Sequence, residues 1–120
     1  MRVNKRLICV CVAFVLLCAF VGVASARTIY VPDDYERIQW AIDNASAGDN
    51  IIVRPGTYNE NVDVDVSVEI RSYSQNPGDT IVKASNPDDH VFYVTASNVN
   101  ITGFTVTGAT GYRAAGVLPL

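Results

Sequence analysis

Residues 98–108 read NVNITGFTVTG, and the apolar positions of this run change phase part-way along it. Val99 and Ile101 are odd-numbered, whereas Phe104 and Val106 are even-numbered. Strand side chains alternate between faces, so one continuous strand cannot bury both pairs on the same side. The slip falls at Gly103, which has no Cβ and can turn the chain. The run therefore reads as two short strands that meet at a corner.

Similar short strands come earlier in the same order. GDNIIV at 48–53 recurs as GDTIVK at 78–83, Val62-Asp63-Val64 as Phe92-Tyr93-Val94, and Val68-Glu69-Ile70 as Val99-Asn100-Ile101. Three strands returning about every 30 residues predict a solenoid, with each coil hydrogen-bonded to the last through parallel pairing. The inward columns expected from this period are Ile51 over Ile81 over Phe104, Val62 over Phe92, and Ile70 over Ile101. A β-sandwich made of hairpins favours Asn-Gly or Asp-Gly turns, and neither dipeptide occurs. Val62 to Ile70 keeps a single phase, so the bend between its two strands is not visible in the sequence.

Upstream, Thr28 to Val31 is a β-prone run stopped by Pro32. Asp33-Asp34-Tyr35-Glu36 resembles a capping box, and Tyr35, Ile38, Ile42 and Ala45 follow at helical spacing. Gly48 supplies a stop, so the pattern predicts a helix from about Asp34 to Ala45. The fold class expected is all-β: a right-handed parallel β-helix of three strands per coil and about three coils, with an N-terminal capping α-helix. The cap strand and helix occupy 27–47 and the coils 48–120 in this reading. Leu118-Pro119-Leu120 is apolar and uncapped, which predicts a longer protein or edge-to-edge self-association at this coil.

The first 26 residues differ in composition. Arg2, Lys5 and Arg6 precede an apolar stretch over 7–23, and Ala24-Ser25-Ala26 is a small-x-small site. This layout predicts a signal peptide cleaved after Ala26, with an uncleaved anchor through 7–23 as the alternative. All three cysteines (Cys9, Cys11, Cys18) lie inside this segment, so the exported chain contains none and cannot form a disulfide. From Arg27 onward six basic residues face 12 acidic ones, a balance that argues against nucleic acid and against anionic membrane surfaces as partners.

At this point a resemblance can be stated. TIYVPDDYERIQWAIDNASAGDNIIVRPGTYNENVDV, from Thr28, is similar to the opening of right-handed parallel β-helix proteins of the pectate-lyase-like superfamily, and most of all to NosD-like repeat proteins. The residues that carry it are Ile38-Gln39 and Ala41-Ile42, Gly48-Asp49, Pro55-Gly56-Thr57-Tyr58, Glu60-Asn61-Val62, and the NITGFTVTG repeat. It implies an exported or cell-surface β-helix and leaves activity open, because such proteins include lyases, hydrolases, binding modules and surface repeats.

The enzymes of this superfamily stack outward carboxylates coil upon coil. Asp63 and Asp65 are outward candidates, but their counterparts one coil on are Tyr93 and Thr95, and Glu69 is followed by Asn100. No catalytic residues are therefore assigned, and the acids read as a solvated, aggregation-resisting face. Copper needs His, Cys or Met, and after the leader only His90 remains, so neither a metal nor another cofactor is expected. Paired acids can supply calcium oxygens, but Asp33-Asp34 reads as a helix start and Asp88-Asp89 as a turn.

Polysaccharide or cell-envelope glycan remains as a partner, for which Trp40, Tyr58 and Tyr93 are the candidate stacking residues, with Tyr73 and Tyr112 as further aromatics whose exposure the sequence does not show. Trp40 has a second reading, as a cover for the open end of the first coil. Asn44-Ala45-Ser46 and Asn100-Ile101-Thr102 match the N-glycosylation pattern. The expectation is a secreted or cell-surface scaffold without catalysis of its own. The alternative is the N-terminal part of a polysaccharide lyase or hydrolase with catalytic coils beyond residue 120.

Overall fold

The computed structural model describes residues 25–119. Most of the predicted leader, including the apolar stretch 7–23, lies outside the described residues. Among those described, no helix is long and apolar enough to cross a membrane.

The chain forms β1 (Thr28–Val31), α1 (Ile38–Asp43), β2 (Asn50–Val53), β3 (Gly56–Asn59), β4 (Val62–Val64), β5 (Glu69–Ser72), β6 (Thr80–Lys83), β7 (Phe92–Val94), β8 (Asn100–Thr102), β9 (Thr105–Thr107) and β10 (Val117–Pro119). Every pairing is parallel. The strands make three sheets, ordered β1-β2-β5-β8, β3-β6-β9 and β4-β7-β10. From β2 onward the chain visits the first, second and third sheet in rotation. Among the described residues the result is a strand-rich, β-helix-like all-β fold with one short helix.

Register stacks like side chains on like. In the first sheet Ile29 pairs with Ile51, Ile51 with Ile70, and Ile70 with Ile101. The first three are buried and Ile101 is half-buried. Each fully buried side chain of this size contributes about 1.5–3 kcal/mol of transfer free energy. Val62 lies over Phe92 in the third sheet, as the repeat predicts.

The column Ile51–Ile81–Phe104 does not form. Ile51 and Ile81 lie in different sheets, and Ile81 pairs with Thr57 and Thr105 instead. The cause is unequal coil length. Asn50 pairs with Glu69, only 19 residues on, whereas Glu69 pairs with Asn100, 31 on. GDNIIV and GDTIVK are alike because both run from a Gly-Asp turn into a strand, not because they stack. The repeat also passed over β3, whose GTYN has no apolar alternation to mark it.

The helix starts later than its sequence suggests. Asp34 closes a turn: its carboxylate accepts from the Tyr30 N–H at 2.8 Å, and its own N–H donates to the Tyr30 carbonyl at 2.8 Å. The residue before the helix, Arg37, makes no side-chain cap. Glu60, just past β3, provides it instead. Its Oε2 accepts from the Ile38 N–H at 2.8 Å and its Oε1 from the Gln39 N–H at 3.1 Å. The Arg37 guanidinium stands 3.8 Å from this carboxylate, which is 3% exposed. A negative charge here satisfies donors that no turn of the helix can reach. Ile38, Ala41 and Ile42 then close the first coil. Trp40 lies off that stripe at 47% exposure and is not the covering residue.

Gly103 sits between β8 and β9 with φ +85°, the corner expected from the phase slip. A Cβ added there would collide with Ser72 Oγ and approach Gln75 Cα to 3.2 Å. Both obstacles belong to the corner below, where Ser72 is fully buried and its hydroxyl holds the Gln75 N–H at 3.0 Å. Gly103→Ala is expected to cost about 1–3 kcal/mol in urea unfolding, through backbone strain and this overlap together.

Asp49, buried at 2% exposure, ties the start of β1 to the helix exit. Its Oδ1 accepts from the Arg27 N–H at 2.8 Å, and its Oδ2 from the Ser46 N–H at 2.8 Å and the Arg27 guanidinium at 3.3 Å. The main-chain donors, Ser46 first, hold this carboxyl below its ordinary value of 3.8, against burial. A lowered folded value stabilises the fold above pH 3.8, and this contribution is lost as pH falls through the folded value. Asp49→Asn is therefore expected to flatten the acid limb of a stability-versus-pH curve below that point, as measured by thermal unfolding.

Candidate functional site

The most organised cluster of aromatic and charged groups stands where the first sheet turns toward the second. The parallel ladder runs one residue past β2 and β5: the Arg54 N–H donates to the Val31 carbonyl at 2.9 Å, and the Tyr73 N–H to the Val53 carbonyl at 2.8 Å. Arg54 and Tyr73 are thereby neighbours across the sheet, and Tyr30 comes from β1. The guanidinium carbon of Arg54 lies 4.9 Å from the Tyr30 ring and 4.9 Å from the Tyr73 ring. A planar cation within reach of two rings makes a cation–π contact with each and helps to hold both.

Asp33 joins from the turn after β1, and its Oδ2 accepts from Arg54 Nε at 2.9 Å. That hydrogen bond holds the guanidinium still more firmly in its charged form. Tyr58 of β3 closes the group from the other side of the corner by donating its hydroxyl to the Arg54 carbonyl at 2.8 Å. Tyr73 is 57% exposed and open to solvent. The cluster thus offers an aromatic platform beside a carboxylate and a guanidinium. A pyranose can use such an arrangement by laying its C–H face on the ring while its hydroxyls meet the charged groups.

Of the three residues that the sequence nominated, Tyr58 belongs to this cluster and is half-buried. Trp40, on α1, has the Arg37 guanidinium 5.7 Å from its ring centroid. Tyr93, on β7, is 37% exposed and stacks on His90 with ring centroids 5.9 Å apart. The three lie on different elements, α1, β3 and β7. Tyr30 and Arg54 are the members that sequence reasoning missed, and nothing in the sequence set Tyr73 beside them. Their alignment depends on the short step from β2 to β5, which no fixed repeat length discloses.

The outward acids fall as the sequence suggests. Asp63 pairs with Tyr93 and Glu69 with Asn100, so neither carboxylate continues onto the next coil. Among the described residues no three of His, Cys, Asp and Glu are grouped as metal ligands. His90 Nδ1 accepts from the Ala115 N–H at 2.9 Å, a link between the approaches to β7 and β10. Asn61 stitches neighbouring coils: its Nδ2 donates to the Asn86 and His90 carbonyls at 3.1 and 2.8 Å, and its Oδ1 accepts from the Asn86 N–H at 2.7 Å. Asn44 is exposed at the end of α1, where its Nδ2 donates to the Trp40 carbonyl at 2.9 Å. Asn100 is exposed on β8, with its Nδ2 3.4 Å from Glu69 Oε2.

Burial raises the Tyr58 phenol above its ordinary value of 10.0, and the charges of Asp33 and Glu60 act in the same direction. Tyr58→Phe is expected to remove a component of tyrosinate absorbance that develops only above pH 10, read by ultraviolet titration.

No family model matches the chain, and no solved structure does. The chain is 34% identical over 89 residues to a protein named cell surface glycoprotein from Methanothermus fervidus. That match covers 72% of this chain but 14% of the relative, so the chain spans a small part of the protein it resembles.

Proposed function

We propose that this chain is exported with cleavage after Ala26 and serves as a cell-surface scaffold that contacts glycan through the Tyr30–Arg54–Tyr73 cluster. The likeness to a cell surface glycoprotein supports the location, and the leader-like composition of residues 1–26 agrees with it. In this reading the strands coil as a right-handed parallel β-helix of the pectate-lyase-like kind, three to a turn. The rotation of the chain through three parallel sheets supports that description, since parallel crossovers are right-handed almost without exception.

The observation that carries the glycan reading is the solvent-facing ring of Tyr73, fixed beside Arg54 and Asp33. A platform held by a guanidinium is ordered before the ligand arrives, which reduces the entropy lost on binding. The chain is not itself a catalyst in this proposal, because Asp63 and Glu69 meet Tyr93 and Asn100 on the next coil rather than further carboxylates. Asn44 and Asn100 are the positions for N-linked glycan.

The test is a titration of the exported chain against neutral and uronic-acid oligosaccharides by calorimetry. Millimolar binding is expected, weakened about tenfold by Tyr73→Ala, the equivalent of ~1.4 kcal/mol. The glycan reading fails if no sugar binds. Binding that Tyr73→Ala leaves unchanged, and Trp40→Ala or Tyr93→Ala abolishes, moves the site to another face.

A further inference from the structure

Arg27 enters the fold at a site built around its own backbone. Its N–H is the donor to Asp49 Oδ1 at 2.8 Å, and its carbonyl accepts from the Asn50 N–H at 2.8 Å. Its guanidinium takes the other carboxylate oxygen, at 3.3–3.4 Å, and donates to the Asn44 carbonyl at 2.7 Å. Asp49 is 2% exposed, whereas Ser25 and Ala26 on the far side of the Arg27 nitrogen are both exposed. A buried carboxylate oxygen is thus aimed at a backbone nitrogen immediately beside the small-residue site at 24–26.

We infer that Asp49 is the docking site for a new amino terminus, formed when the Ala26–Arg27 peptide bond is hydrolysed. Water adds across the bond: its oxygen goes to the Ala26 carbonyl, which leaves with the leader as a carboxylate, and the Arg27 nitrogen departs as an amine that is protonated at neutral pH. This rests on the cleavage position proposed above. Before cleavage Oδ1 faces a neutral amide; afterwards it faces an ammonium at the same place, a charge-assisted pair against a carboxylate already withdrawn from water. The export step thereby completes the fold as well as releasing it.

Other charges bear on the amine. Its own guanidinium repels it, and Asp34, whose carboxylate is held by the Tyr30 N–H, lines with Arg27, Thr28, Ile29 and Tyr35 a hollow of about 360 Å³. Glu69 lies nearby, since its N–H donates to the Asp49 carbonyl at 3.1 Å. Pairing with Asp49 raises the amine above the ~7.7–8.0 of a free terminus. A raised value stabilises the fold below that range, and the contribution is lost as pH rises through the folded value.

The experiment secretes the full chain from a host with a signal peptidase and collects the product. Intact mass and N-terminal sequencing come first: a product that begins anywhere but Arg27 overturns the proposal at its premise, independently of the docking site. The amine is then acylated at about pH 7.5, with Lys83, the one other amine of the exported chain, as reference. It is expected to react about tenfold more slowly in the folded chain than in urea, and Asp49→Asn is expected to remove most of that protection. Equal rates in the folded and unfolded chain overturn the proposal. A second variant inserts Gly-Ser between Ala26 and Arg27, so that Asp49 again faces an amide and the amine lies two residues away. A lower thermal midpoint than the parent at pH 7, with the difference shrinking toward pH 10, supports docking, and equal midpoints across that range overturn it, even if Asp49→Asn fails to fold.

Discussion

Parallel pairing in strict register is the constraint on which the rest of this structure depends. A strand side chain changes face at every residue, so the column Ile29–Ile51–Ile70–Ile101 exists only because each pair of strands meets without slipping. One residue of slip at β5 would turn Ile70 outward and bring Glu69 and Arg71 toward the core. It would also part Tyr73 from Arg54, because the cluster is built on the same ladder one residue beyond the strands. Core and candidate site are therefore set by a single alignment. The corners absorb whatever length the sheets do not need, through left-handed residues such as Gln75, Asn98 and Gly103.

The parts of the fold legible in the sequence are those governed by local pattern. Strict alternation marked Val62 to Ile70, which the structure divides into β4 and β5, and the phase slip at Gly103 marked the corner between β8 and β9. Two of the three columns followed, but the order of strands within the sheets did not, since β2 pairs with β5 and not with β6. The misreadings share one cause, a fixed period imposed on coils of unequal length. The Gly-Asp openings of β2 and β6 are similar because similar turns precede them, and that resemblance concealed the short coil from Asn50 to Glu69. β3 escaped notice because Gly56–Asn59 shows no buried position in its pattern.

The site was less legible than the fold, for a related reason. Tyr58 could be singled out as an aromatic after a Pro-Gly turn, but its neighbours Tyr30, Arg54 and Tyr73 come from three separate passes of the chain. The helix shows the same limit on a smaller scale. Asp33, Asp34 and Glu36 have the spacing of a local cap, yet the helix takes its acid from Glu60. Local propensity is a weak guide for a helix of six residues, which tertiary contacts must hold in place.

That distant cap has a consequence for the order in which the fold can close. A chain made from its N-terminus presents residues 38–43 before Glu60 exists. Until then the helix has neither its acceptor nor the β4 strand beside it, where Gln39 holds the main chain of Asp63 at both N–H and C=O. The lid is consequently the last part of the first coil to set, not the first. It closes only once the strands beneath it are present, so the N-terminal end of the fold reports the completion of its own foundation.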